Sequence, residues 1–363
     1  MFFMQEVVRQ SVGIDIAKST FTACHAKTMM DGSVELSEVE EFENSKTGFN
    51  QLVKWARKVG LKELPGHYVM EATGIYYEPL AYHLVRLGLS VSVVLPNMVK
   101  HFGKSLNIKS KTDSIDARMI ARLGAERVLP LWEPPSRSLK DLRDLTRLYT
   151  DLKQQRTAFM NRLHSTQSGN EPLEFIVTST KSIISKLEKE ITKAKKAIED
   201  LIQADDVLKG KMNKLQTIKG AGLITLAIIV AETQGFKLIK NSRQLTSYAG
   251  YDVVERESGS SVKGKTRISK KGNSRIRASL HFPALVASRH NQAMREVFVR
   301  INEQKPSKMV GATAVQRKML TLIYALWKAD TNYDPAYQGQ NDKKKQVTMP
   351  PAQDAPLKSG SPS

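Results

Sequence analysis

SVGIDIAKSTFTAC, residues 11–24, decides how the N-terminal part of the chain folds. It reads as a strand, a short turn and a second strand, and SVELSEVEEF at 33–42 alternates like a third. Helix and strand then take turns. TGFNQLVKWARKVG at 47–60 carries an apolar stripe of Phe49, Leu52, Val53 and Ala56. GHYVMEAT at 66–73 is a short apolar strand ending in an acid, YYEPLAYHLVRLG at 76–88 is a helix closed by Gly88, and LSVSVVLP at 89–96 is a buried strand. Three strands followed by alternating helix and strand predict a mixed α/β sheet with helices packed on it.

KTDSIDARMI at 111–120 opens a further helix with two acids three residues apart. Asp113 and Asp116 share a helix face, where they repel each other unless a proton or cation lies between them. Capping offers an ordinary reading: Thr112, Asp113 or Ser114 can be the N-cap, with Asp116 favoured near the positive end of the helix dipole. Two more acids bear on the choice. Asp15 lies between Ile14 and Ile16, and an ionisable group in an apolar strand is costly unless paired or metal-bound. It is equally readable as an acid on a half-exposed strand face, and Glu71 as a solvated strand end. Open α/β sheets, however, build sites at the carboxyl ends of their strands. If the strands of Asp15 and Glu71 are neighbours and the Asp113–Asp116 helix lies over them, four carboxylates share one pocket. Only divalent cations make that tolerable, and oxygen-only ligands suit Mg2+, with Mn2+ as the alternative. Paired ions of this kind serve phosphodiester chemistry.

Composition points to a polyanionic partner. The 363 residues carry 56 Lys and Arg against 36 Asp and Glu, a net charge of +20. No basic amphipathic segment with aromatic anchors suggests a membrane surface. A single cysteine, Cys24, excludes an internal disulfide and a multi-cysteine zinc site and fits a reducing cytosol. The longest apolar run, LITLAIIVA at 223–231, is too short to span a bilayer, and no signal peptide is expected. The seven histidines form no metal-binding spacing.

From 136 the texture becomes helical. Leu145, Leu148, Leu152, Phe159 and Leu163 recur at helical spacing until Gly169, Asn170 and Pro172 break the run. Ile184, Leu187, Ile191, Ala194, Ile198 and Leu201 then follow a 3-4 alternation. That seam is either one arm of an antiparallel hairpin or an intersubunit coiled coil. TIKGAGLITLAIIVAE at 217–232 resembles the second half of a helix-hairpin-helix, whose amides hold a DNA phosphate; an ordinary tight turn fits as well. Helices are expected from about 275 to 290 and from about 309 to 328, and the Pro-rich polar tail from 331 reads as disordered.

GIDIAKSTF, MEATGIYYEPLA, VSVVLPNMVKHF and KTDSIDARMIA together closely resemble the DEDD transposases of the bacterial insertion-sequence family numbered one hundred and ten, related to the Piv invertases and described as bridge-RNA-guided recombinases. The resemblance runs from about residue 10 to 328. It implies a RuvC-like, ribonuclease-H-fold domain at 1–130, with Asp15, Glu71, Asp113 and Asp116 in the D, E, D and D positions. It further implies a coiled-coil linker at 131–210, a mainly helical transposase domain at 211–330 and a disordered tail at 331–363. The expected activity is cutting and rejoining DNA, on donor and target, guided by a noncoding RNA, within a homodimer that pairs into a tetramer in the bacterial cytoplasm at the nucleoid. Base pairing would read sequence while the protein reads shape and backbone, which agrees with the charge.

One segment remains. RESGSSVKGKTRISKKGNSRIR holds Lys263, Lys265, Arg267, Lys270, Lys271, Arg275 and Arg277 within fifteen residues and no acid among them. By itself it is a flexible phosphate-binding loop or a solvated charge run, and Lys111 joins it as an expected nucleic-acid contact. Ser258, Ser260 and Ser261 precede the cations. A Ser/Gly loop is ordinarily only a loop, but the resemblance makes Ser258 the nucleophile, activated by the acidic site from the other domain. The rival reading is a RuvC-like metal-dependent nuclease or junction resolvase, or a non-catalytic nucleic-acid-binding protein, in which Ser258 is structural.

Overall fold

The computed structural model describes residues 6–336 except 73, 109, 111, 238, 255–256, 259–261, 264–266 and 304–306. It divides into two compact units, Met1–Pro134 and Pro135–Ser363.

The first unit runs β1 (Val7–Ile16), β2 (Thr20–Met29), β3 (Val34–Leu36), β4 (Glu40–Glu43), α1 (Lys46–Val59), β5 (His67–Glu71), α2 (Glu78–Arg86), β6 (Ser90–Val94), α3 (Pro96–Ser105) and α4 (Asp113–Glu126). Its mixed sheet has the order β3-β2-β1-β5-β6, with β4 also on β2. β1 and β2 are antiparallel, whereas β1, β5 and β6 are parallel, because α1 and α2 return the chain to the same sheet end. The two faces of β1 part company. Val12, Ile14 and Ile16 join the core with Phe49, Leu52, Leu80 and Leu84 of α1 and α2. Ser11 and Gly13 face α4, where Ser11 donates to the Ala121 carbonyl at 2.5 Å. At Gly13 any side chain would collide with the Ala117 and Ala121 backbone, so this glycine lets α4 lie on the strand.

The expectation of one strand over 33–42 is corrected: β3 and β4 are separate short strands on β2. Ser37 interrupts them. Its hydroxyl accepts from the His25 amide at 3.0 Å, and its own amide donates to the His25 carbonyl.

The second unit contains α5 (Arg137–Gln167), α6 (Glu174–Ala204), α7 (Asp206–Gln216), α8 (Leu223–Glu232), α9 (Ser242–Ala249), β7 (Val253–Val254), β8 (Glu257–Ser258), β9 (Val262–Lys263), β10 (Arg267–Ile268), α10 (Ser274–His290), α11 (Gln292–Glu303) and α12 (Lys308–Ala329). The 3-4 seam of α6 lies against α5 of the same chain, with Ala194 and Ile198 buried, and Arg156 pairs with Glu188 at 3.1 Å across the pair; at the end of the seam Ile202, not the expected Leu201, is the buried residue. Leu142, Ile198 and Ile202 root this hairpin in the same core as Leu226, Ile229, Leu280, Met319 and Ile323. Beyond α12, Tyr333 is tied back: its amide donates to Thr217 Oγ1 at 2.8 Å, and its hydroxyl meets Asn291. The remainder of the expected tail, from 337, lies outside the described residues.

Candidate functional site

The parallel register of β1 and β5 aligns Gly13 with Val69 and Ile14 with Met70, so Asp15 and Glu71 are the next residues along at the carboxyl ends of neighbouring strands. Alternation sets their faces. Asp15 follows Ser11 and Gly13 on the α4 face of β1, and Glu71 follows Val69, which packs with Met119, Ile120 and Leu123 of α4. Moving from Ser11 toward Asp15 along β1 leads from Ala121 toward Ala117, that is, toward the first turn of α4. That turn is pinned in place. Thr22, directly across β2 from Asp15, donates to the Asp113 carbonyl at 3.1 Å.

The capping question at this helix has an answer. Thr112 is the N-cap, its Oγ1 accepting from the Ile115 amide at 3.3 Å, so Asp113 is not needed for the task. Asp113 is exposed, whereas Asp15, Glu71 and Asp116 are half-buried. Four acids are thus carried by three contiguous elements around one sheet end. Their donors are all carboxylate oxygens, the set that suits a hard divalent cation. Among the described residues, no three His, Cys, Asp or Glu side chains gather closely enough to hold a metal as they stand. The convergence is one of backbone positions and faces.

In the second unit the serine segment is not the loop its composition suggests. β7 pairs with β10, and β8 with β9, as two short antiparallel ladders. Ser258 ends β8 opposite Val262. Gly259, Ser260, Ser261, Lys265 and Lys111 lie outside the described residues. Lys263 is in β9 and Arg267, exposed, in β10. The signal for pairing was the β-branched set Val253, Val254, Val262 and Ile268, the last packing against the unit's core.

After β10 the chain turns through Lys270, whose φ of +54° is left-handed, into α10. Gly272 touches the backbone of Tyr248 and Gly250 too closely to accept a Cβ, and Asn273 caps α10 by accepting from the Arg275 and Ile276 amides. Lys270 and Lys271 are exposed. Arg275 instead pairs with Asp151 at 3.0 Å, and Arg277 donates to the Ala249 carbonyl at 2.8 Å, so both also tie α10 to its surroundings.

Sequence reading missed the group that holds this turn. Glu232, at the end of α8, is buried and accepts from Arg147 Nε at 2.7 Å, Arg147 Nη2 at 3.0 Å and Asn273 Nδ2 at 2.7 Å. Burial pushes its carboxyl up, but the bonds from Arg147 and Asn273 and the charges of Arg147 and Arg275 outweigh it and hold the pKa below its ordinary value. An acid closing the apolar run LITLAIIVAE was the visible signal. No described helix is long and apolar enough to cross a membrane.

Comparison with known proteins bears on both units. Residues 12–169 match a family described as "Transposase", of the DEDD type of IS110, and residues 212–298 match the "Transposase IS116/IS110/IS902 family". The chain is similar to the pilin gene-inverting protein of Moraxella bovis, 31% identical over 326 residues, covering 89% of this chain and 97% of that protein. The pilin gene-inverting protein of Moraxella lacunata is likewise 31% identical over 327 residues, with the same coverage. The transposase for insertion sequence element IS1111A of Coxiella burnetii is 23% identical over 356 residues, 89% of this chain and 90% of that protein. With both units matched in order and a relative aligned over nearly its whole length, this chain belongs to the IS110 family of DEDD transposases.

Proposed function

We propose that the chain cuts and rejoins DNA strands, using the four acids as a divalent-metal site and Ser258 as the nucleophile, with a noncoding RNA guiding it to donor and target. The observation that carries the reading is the parallel pairing of β1 with β5 beneath the first turn of α4, which brings Asp15 and Glu71 to one sheet end beside Asp113 and Asp116. Two relatives are named for inverting a pilin gene and a third for transposing an insertion sequence, both rearrangements of DNA. The sheet order agrees with a ribonuclease-H-like fold in the first unit; we read residues 1–130 as that domain, 131–210 as a linker and 211–330 as a transposase domain.

Asp15, Glu71, Asp113 and Asp116 would hold Mg2+, or Mn2+ in its place. A bound cation would neutralise charge on the scissile phosphate and favour the ionised form of an attacking hydroxyl. Ser258 Oγ attacks phosphorus; one P–O bond to a deoxyribose oxygen breaks as the serine–phosphate ester forms, and the departing strand hydroxyl takes up a proton. Attack by the hydroxyl of the new partner strand reverses the exchange and restores the serine, so no net phosphodiester is lost. Lys263, Lys265, Arg267, Lys270, Lys271 and Lys111 supply positive charge to backbone phosphates, and Arg275 and Arg277 shape the turn that presents them. Several strands must be cut in concert, which suits a dimer that pairs into a tetramer, acting in the cytoplasm.

The test is reconstitution. The full chain is combined with RNA transcribed from the noncoding flank of its gene, plasmids carrying the gene's boundary and a recipient site, and Mg2+; junctions are then sequenced. Recombinant junctions that need RNA, metal and Ser258 are expected. Metal-dependent cleavage without junctions or a protein–DNA adduct would favour a nuclease, and binding without cleavage an inert module.

A further inference from the structure

Helices α10, α11 and the start of α12 enclose a cleft of about 540 Å3 that the proposed chemistry does not use. Its floor is apolar: Leu285 from α10, Phe298 and Val299 from α11, and Met309 from α12. Its rim is cationic, with Arg289, Arg295 and Lys308, and no acidic side chain of the described residues lines it. All three cations are exposed and none has a carboxylate partner among the described residues. Glu296, the acid next in sequence to Arg295, is engaged by Gln292 at 3.0 Å on its own helix. Met309 and Val299 are about half exposed, at 52% and 46%. Charged rim and bare floor in one cleft are unusual for a merely solvated face, where apolar groups are covered by the stems of their basic neighbours.

The combination fits an unpaired nucleic-acid strand. A duplex keeps its bases inside and offers only phosphate and groove edges. A single strand offers phosphates to cations and base faces to an aromatic and a thioether. The cleft has the size of a small ligand site, enough for a base and its sugar-phosphate.

We infer that this cleft holds single-stranded DNA, with phosphates on Arg289, Arg295 and Lys308 and a base against Phe298 and Met309. The inference rests on the reading of the chain as a DNA recombinase: a strand that has been opened or cut must be kept from re-pairing until it is rejoined. It adds a second nucleic-acid surface in the second unit, separate from the cations that follow Ser258.

The experiment measures binding by fluorescence anisotropy of full-length protein to a labelled oligothymidylate, an oligouridylate and a DNA duplex, over a salt series. The variant is Arg289→Ala/Arg295→Ala/Lys308→Ala, three exposed positions at which folding is expected to be retained and is checked by circular dichroism. Oligothymidylate affinity should fall about tenfold and its salt slope by about 2, the loss of three phosphate contacts to a single strand. Duplex affinity should change less than about twofold, since duplex phosphates are met elsewhere. Phe298→Leu, which keeps the bulk of the floor, should weaken oligothymidylate severalfold without changing the salt slope. Unchanged oligothymidylate binding, an equal loss for duplex, or a loss confined to oligouridylate would each overturn the inference. Because the readout is binding, a wild type that makes junctions while the triple variant binds normally refutes the cleft alone; a wild type that makes none refutes the recombinase reading.

Discussion

Arg147 holds Glu232 with two parallel hydrogen bonds, Nε to Oε1 at 2.7 Å and Nη2 to Oε2 at 3.0 Å, joining α5 to the end of α8 across 85 residues of sequence. The carboxylate is 3% exposed, and its third bond comes from Asn273, the residue that caps α10. Folding of the α5–α6 hairpin base and placement of the basic turn after β10 thus share one buried anion. Tyr248 adds to it by donating to the Glu232 carbonyl at 2.8 Å.

Removing one partner should therefore be costly. Arg147→Ala strands a buried carboxylate and should destabilise the second unit by about 3 kcal/mol, measured by urea unfolding. Arg147→Met/Glu232→Leu together should cost less than either single change, because no charge is left behind. A depressed carboxyl contributes stability that is present above its unfolded pKa, 4.5, and is lost as pH falls through the lower folded value. Stability of Glu232→Gln should accordingly fall less than wild type as pH drops below about 4.5.

A second pH effect belongs to the first unit. His25 is 3% exposed and meets Gln10 Oε1 at 3.3 Å, while Gln10 Nε2 donates to the carbonyls of Leu61 and Leu64, fastening the loop after α1. Burial, with a smaller contribution from the Lys27 charge, lowers the His25 pKa from 6.5 to about 4. A histidine kept neutral in the fold stabilises above its unfolded pKa, and that contribution disappears as pH falls from 6.5 to about 4. Up to about 3 kcal/mol should be lost in this window. His67, also lowered by burial, adds in the same direction. His25→Gln should flatten the profile in thermal melts taken between these limits.

The strand-helix alternation of the first unit was legible because each element carries its own period. Val12, Ile14 and Ile16 alternate on β1, and Phe49, Leu52, Val53 and Ala56 form a stripe on α1. The same alternation set the faces of Asp15 and Glu71. What escaped the sequence had short or distant causes. α3, α7, α9 and α11 span only 10, 11, 8 and 12 residues, too few turns for a clear stripe. The ladders around Ser258 are two residues long. Glu232 gave no hint of its partners, 85 residues before it and 41 after.

At α4 the helix cap and the exposed acid beside it are different residues, Thr112 and Asp113. Thr112→Ala removes the side-chain acceptor for the Ile115 amide and should cost about 1 kcal/mol of stability. Asp113→Asn should leave the melting temperature within a degree or two, since its side chain is exposed and the cap is elsewhere. If Asp113 serves the metal site, Asp113→Asn, Asp15→Ala, Glu71→Ala and Asp116→Ala each abolish junction formation with the fold retained, and EDTA does the same to wild type. Strand exchange that persists in EDTA would sink the metal reading.

The seam of α6 makes a different demand. Ala194, Ile198 and Ile202 are buried, the two isoleucines in the unit's own core, so Ile198→Ala should destabilise the monomer by about 2–4 kcal/mol. Leu187 and Ile191 are only half-buried. Leu187→Glu/Ile191→Glu should lower assembly, read by light scattering with nucleic acid present, before it lowers the melting temperature. A monomer in all conditions, for wild type as for the variant, would defeat the tetramer.

The sharpest prediction concerns Ser258. It ends β8, paired with Val262, and the cations Lys270 and Lys271 follow on the exposed turn before α10. A serine hydroxyl needs activation to attack a phosphate, and transfer through it leaves an ester that denaturants do not break. Wild-type protein incubated with labelled DNA, guide RNA and Mg2+ should give a protein–DNA adduct that survives denaturing electrophoresis, and peptide mapping should place the DNA on Ser258. Ser258→Ala should bind RNA and DNA with unchanged affinity yet yield neither adduct nor junction. Ser260→Ala and Ser261→Ala serve as controls and should keep some adduct. Glu232→Gln supplies the complementary case: Ser258 is intact but the turn anchored by Asn273 is loosened, so the adduct should form more slowly, not vanish. Full activity of Ser258→Ala, or an adduct mapped to Ser260, would assign the nucleophile elsewhere.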